Sequence, residues 1–151
     1  MLRLTAEDIR LVRLALLYHL ARPGAELDPA TGQPAAHGLA EVDGALDARD
    51  DSAAMLTLDD GQHRKLLVAM LGCVNELHVY HLSGGAPSMV PGFSETARRL
   101  FPSMTDEPEA ALDVAQSMLM LRRRLARSEA TEAPNARAAG PERRSRWPFR
   151  R

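Results

Sequence analysis

The sequence is short of several things, and each shortage narrows its reading. Its 151 residues include one cysteine, Cys73. That excludes an intrachain disulfide framework and fits a reducing compartment. Aromatic residues make up 4% of the chain, with a single tryptophan, Trp147. No apolar run approaches the ~18 residues of a membrane-spanning helix. The opening residues, Met1 to Asp8, bring in acids early and offer no small-residue cleavage site, which argues against a secretory signal. A cytoplasmic location is the expectation. Lysine is nearly missing, with Lys65 the only one, so the other basic residues are arginines. Arg, Ala, Gly and Pro share GC-rich codons, so this bias reads as genomic and points to a bacterial source. Gly-x-Ser-x-Gly and phosphate-loop spacings are absent too. Ser83-Gly84-Gly85 ends a helix rather than opening one. With no catalytic signature, the chain is expected not to be an enzyme and to need no cofactor.

What is present is a divided charge. The formal net charge of −1 is a cancellation. From Arg122 onward there are ten Arg against three acids, and before it nine basic residues against seventeen acids. The basic end finishes in Arg143, Arg144, Arg146, Trp147, Pro148, Phe149, Arg150 and Arg151. Arginines with interleaved aromatics can pair phosphates and stack on bases, lie on an anionic membrane, or fill pockets on a protein partner. The body, read as acidic with no second basic face, favours protein docking. Residues 128–151 are expected to form a flexible Arg-rich tail, with residues 1–127 as the helical domain.

Apolar spacing in residues 1–127 is helical in several stretches, separated by loops read at Pro23–Gly38 and Ala86–Gly92. Thr5 with Asp8 resembles a capping box. Ile9, Val12, Leu16, His19 and Leu20 follow on one side, and Leu11, Leu14, Ala15 and Tyr18 on the other, until Pro23-Gly24 stops the helix. A helix so apolar all round is central or oligomeric. A short helix is expected over about Leu39–Arg49, and Ala53–Leu58 stays open between strand and helix lead-in. A second long helix is expected over Leu58–Leu82, capped by Thr57. Its stripe is Leu66, Met70, Cys73, Leu77 and Tyr80, widened by Val68, Leu71 and Val79. Gly72 inside it costs about 1 kcal/mol against Ala, which a close neighbouring backbone would explain. Ser94 is read as the cap of a short helix to Phe101, and Thr105 or Asp106 as the cap of the last helix. There Ala111, Val114, Met118, Leu121 and Leu125 alternate by three and four over about two heptads. This seam serves either the core or a homodimer through Val114, Met118, Leu121 and Leu125. Tyr-His-Leu occurs at both Tyr18 and Tyr80; similar caps and stops account for the likeness without a duplication.

The remaining ligand-type residues are weak as sites. His19, Glu76, His78 and His81 are the densest metal-type group. However, Glu76 and His78 diverge by about 200° on a helix. Cys73 lies on the apolar stripe and reads as a core thiol. Asp43, Asp47, Asp50 and Asp51 miss the spacing of a calcium loop and read as a solvated face, or as a dock for the basic tail. The overall expectation is an all-α protein, an irregular bundle of four to five helices. Its expected role is that of a non-enzymatic, self-associating adaptor or regulatory protein with the Arg/Trp/Phe segment as docking element. Association with nucleic acid or an anionic membrane through that segment, and metal binding by the bundle, are the alternatives.

Overall fold

Reciprocal capping boxes set where the first two long helices begin. A computed structural model describes residues 2–33, 35, 38–47 and 54–132. In it α1 spans Ala6–Leu20 and α3 spans Asp60–Leu82. The Thr5 hydroxyl accepts from the Asp8 N–H at 3.2 Å, and the Thr5 N–H donates to Asp8 Oδ2 at 2.8 Å. At α3 the cap is Asp59 rather than Thr57. Asp59 Oδ1 accepts from the Gln62 N–H at 2.8 Å, and the Gln62 side chain returns the bond at 3.2 Å. The chain before it is held extended by strand pairing, which pushes the helix start two residues on. Such a cap is worth about 1 kcal/mol.

That pairing is a two-stranded antiparallel ribbon, β1 (Leu2–Leu4) with β2 (Ala54–Leu56). Its register sets Leu2 against Leu56, Arg3 against Met55 and Leu4 against Ala54. The open stretch at Ala53–Leu58 thus contains a strand, and Leu2–Leu4 is its unforeseen partner. Three residues are too few to show a period of two. Between the strands lies α2, Ala40–Asp47, with Leu39, Val42 and Leu46 buried.

After α3 come α4 (Phe93–Leu100), a 3-10 turn at Pro102–Met104, and α5 (Ala110–Glu132). Ser94 does not cap α4. Gly92, at φ 73°, takes that place, and the buried Ser94 hydroxyl accepts from the Ser88 N–H at 3.0 Å. The last helix starts at Ala110, later than Thr105 or Asp106 would set it; the chain between the 3-10 turn and Ala110 is spent in turns, with the Glu107 N–H donating to the Ser103 carbonyl at 3.2 Å and the Ala110 N–H to the Glu107 carbonyl at 2.9 Å. It also runs through Glu132, past the boundary drawn at Arg127. The Ala and Glu residues there keep helix propensity after the apolar pattern has ended. The fold is mostly helical, as the apolar spacing implies, and the all-α class holds. Among the described residues no helix is long and apolar enough to cross a membrane.

α3 is the axis of the bundle, packed against both α1 and α5. Leu66, Met70, Cys73, Leu77 and Tyr80 all face inward and are buried. The Tyr80 hydroxyl donates to the Met104 carbonyl at 2.8 Å, tying the end of α3 to the 3-10 turn. At the other end, Arg122 Nε of α5 donates to the Leu67 carbonyl at 2.8 Å. Gly72 is explained by a side chain, not a backbone. A Cβ there would lie 2.5 Å from Cε1 of Tyr18, whose ring also meets Phe93 edge-on at 6.3 Å. Gly72→Ala gains about 1 kcal/mol in helix propensity but overpacks a fixed ring at a cost of about 1–3 kcal/mol. We expect a net loss of about 1 kcal/mol in urea unfolding. In a Tyr18→Ala background the same substitution should stabilise; an unchanged sign there would show that Tyr18 is not the obstacle.

Candidate interaction surface

The expected sites fare differently. Arg143, Arg144, Arg146, Trp147, Phe149, Arg150 and Arg151 lie outside the described residues, as do Asp50 and Asp51. The four metal-type residues are not brought together. His19 Nε2 lies 3.0 Å from Glu26 Oε1, and that carboxylate also accepts the Leu39 N–H at 3.1 Å, so His19 helps fasten the loop after α1. Glu76 accepts from the Ser88 hydroxyl, His78 is exposed, and Nδ1 of His81 is buried without a partner among the described residues. No group of three or more His, Cys, Asp or Glu among the described residues is placed to hold a metal ion. Cys73 is fully buried, and burial, reinforced by the charge of Glu76, pushes its thiol well above the usual range.

The α5 seam is spent inside the chain. Val114, Met118, Leu121 and Leu125 are buried in the core, so a homodimer through them is closed to the folded domain. Of the large apolar side chains left exposed among the described residues, four lie on α3, while Leu27, Met55, Met89, Leu112 and Met120 are scattered over other parts of the chain. Val68, Leu71 and Val79 do not widen the inner stripe; they lie on the opposite side. Val68 is 67% exposed, Leu71 44%, Val79 53% and Leu82 82%. With the exposed Asn75 these residues form one straight stripe. Seen from Asn75, the apolar positions fall four and seven residues away in both directions. At 100° per residue all of them lie within about 40° of the Asn75 direction, along roughly 21 Å of helix. The stripe is therefore its own complement under a twofold axis through Asn75. Sequence spacing contained this signal, because residues two apart on a helix point away from each other and cannot share a face.

Two further concave regions are charged. Between the start of α1 and the middle of α5 lies a cleft of about 540 Å³, whose walls include Glu7, Asp8, Met120, Arg123, Arg124 and Arg127. Its central contact joins the two helices. Arg124 Nη2 donates at 2.5 Å to Asp8 Oδ2, the oxygen that also accepts the Thr5 N–H. The second region corrects the expectation that the body has no basic face: Arg10, Arg13 and Arg99 line one pocket with Leu100 and Pro102. The chain matches no protein-family model, no curated protein and no solved structure.

Burial alone would raise the Asp8 carboxyl, but the Thr5 N–H, the Arg124 guanidinium and the Thr5 hydroxyl outweigh it and hold it below its ordinary value. The sign for stability follows from linkage. The contribution of Asp8 is complete above the unfolded carboxyl value near 4 and is lost as pH falls through the lower folded value. Asp8→Asn should therefore lower stability at neutral pH and flatten the acid loss that sets in below about pH 4. Parallel acid-unfolding curves for the two proteins would contradict this.

Proposed function

We propose that the chain is a non-enzymatic helical adaptor or regulatory protein. In this reading it pairs with a second copy through the solvent face of α3 and engages a further protein with the segment Arg143–Arg151. The observation that carries the reading is the self-complementary stripe. A helix exposing Val68, Leu71, Val79 and Leu82 in one line presents apolar surface that water disfavours. A twofold pairing is isologous, so each contact occurs twice. Antiparallel pairing centred on Asn75 sets Val68 against Leu82 and Leu71 against Val79, with the two Asn75 carboxamides facing on the axis. There they can exchange hydrogen bonds, and a polar pair at the centre fixes register.

The size of the stripe sets the strength of the pairing. One helix wide and about 21 Å long, it offers on the order of 200 Å² per copy. Stable interfaces use about 800 Å² per partner. A reversible dimer, exchanging with monomer, suits a regulatory protein whose tail must find other partners. The stretch 133–151 follows α5 in sequence, and its aromatic anchor with arginine flanks suits a pocket with an acidic rim.

Sedimentation equilibrium of the full chain tests the pairing. A monomer–dimer equilibrium is expected, with Val79→Lys weakening it at least tenfold because each Lys would face an apolar Leu71. Adding Leu71→Asp to that variant should restore the dimer, since antiparallel pairing sets positions 71 and 79 of the two copies together. A parallel or unrelated interface would show no restoration, and a chain monomeric at all concentrations would end the reading.

A further inference from the structure

The pocket between α1 and α4 carries a separate inference, independent of self-association. Its volume is about 390 Å³, and it is lined by Arg10, Arg13, Arg99, Leu100 and Pro102. Arg10 and Arg13 stand three residues apart on α1, where side chains share a face and like charges repel. Arg99, from the last turn of α4, brings a third guanidinium to the same space. Among the described residues no carboxylate lines this pocket. Arg13 has an interaction of its own within the fold, so the weight falls on Arg10 and Arg99. The Arg10 guanidinium lies 5.6 Å from the centroid of the Phe101 ring, which holds its plane in place. Its Nε is buried and has no acceptor among the described residues. Neither Arg10 nor Arg99 has an ion pair among the described residues.

A second groove of about 400 Å³ continues from this pocket and shares Arg13, Arg99 and Leu100 with it. Its other walls are mostly apolar, with Leu17, Leu20 and Ala21 from the end of α1 beside Thr96 and Asp43. The two spaces differ in what they accept. The arginine end suits an anion with several acceptor oxygens, since guanidinium groups fork onto phosphate better than onto a single charge point. The apolar end excludes a second anion because Asp43 lies there. We propose that this paired site binds a phosphomonoester. Its phosphate sits among Arg10, Arg13 and Arg99, and its apolar body lies along Leu17, Leu20 and Leu100. The phosphate belongs either to a free small molecule or to a lipid headgroup.

Isothermal titration of the full chain with octyl phosphate, below its micelle concentration and at physiological salt, tests the site. One molecule should bind per chain, at least tenfold more tightly than inorganic phosphate or octanoate. Arg99→Ala, at an exposed position, and Arg10→Gln should each weaken octyl phosphate at least tenfold. Circular dichroism serves as the fold check, and the basic tail is intact in every variant. Absence of saturable binding, or binding of several molecules that both variants leave unchanged, would overturn the proposal. Co-sedimentation with phosphatidylcholine vesicles containing phosphatidic acid separates the sources. Retention that depends on Arg99 assigns the phosphate to a lipid. Binding of octyl phosphate without vesicle retention assigns it to a free phosphomonoester, and vesicle retention that Arg99→Ala does not alter counts against the site.

Discussion

The structure depends on the inward side of α3. Leu66, Met70, Cys73, Leu77 and Tyr80 bury one face of it against α1 and α5 together, and the remaining elements are placed relative to that contact. Two constraints make the packing specific. The missing Cβ at Gly72 lets the Tyr18 ring lie against the helix, which fixes how near α1 can come. The Tyr80 hydroxyl and Arg122 Nε then pin the two ends of α3 to different parts of the chain. Asp8 closes the third side. It closes the capping box of its own helix and holds Arg124 of α5 with the same oxygen, so α1 and α5 are joined directly. A single side chain there links local helix start to tertiary arrangement.

Much of this was legible in the residues, and the reasons for the rest are physical. Thr5 with Asp8 is readable because a capping box is local. The inner stripe of α3 is readable because five apolar residues repeat at three and four. The all-α class follows from such repeats. What failed was assigning Val68, Leu71 and Val79 to the same face. An apolar residue scores alike on either side of a helix, and only the angular position separates core from surface. The ribbon at Leu2–Leu4 failed because its partner lies some fifty residues away and no local pattern announces it. The α5 seam was correctly seen as a seam, but a heptad pattern does not say whether its partner is in the same chain. Here α3 fills that role.

The two surfaces that carry the functional readings both depend on tertiary placement, although the angular spacing of the α3 stripe was already in the sequence. Arg10 and Arg13 are two charges on an otherwise apolar α1, and Arg99 is a single charge in the last turn of α4. They come together only when α4 packs against α1. The α3 stripe is a surface only because α1 and α5 take the other side. In both cases the chemistry is spelled out in the chain, while the juxtaposition that gives it meaning is tertiary.

Charge then constrains how these surfaces share one molecule. The arginine pocket and the segment Arg143–Arg151 have the same sign, so they repel, and the tail cannot be the pocket's occupant. The acids run the other way: residues 41–60 hold seven of them against a single basic residue, Arg49. An anion seated among Arg10, Arg13 and Arg99 would lower the positive field on that side of the body. It would thereby weaken the repulsion between that side and the arginines of the segment. On that footing anion binding at the pocket and partner binding by the segment would be coupled electrostatically, and by reciprocity each would change the other's affinity by the same factor.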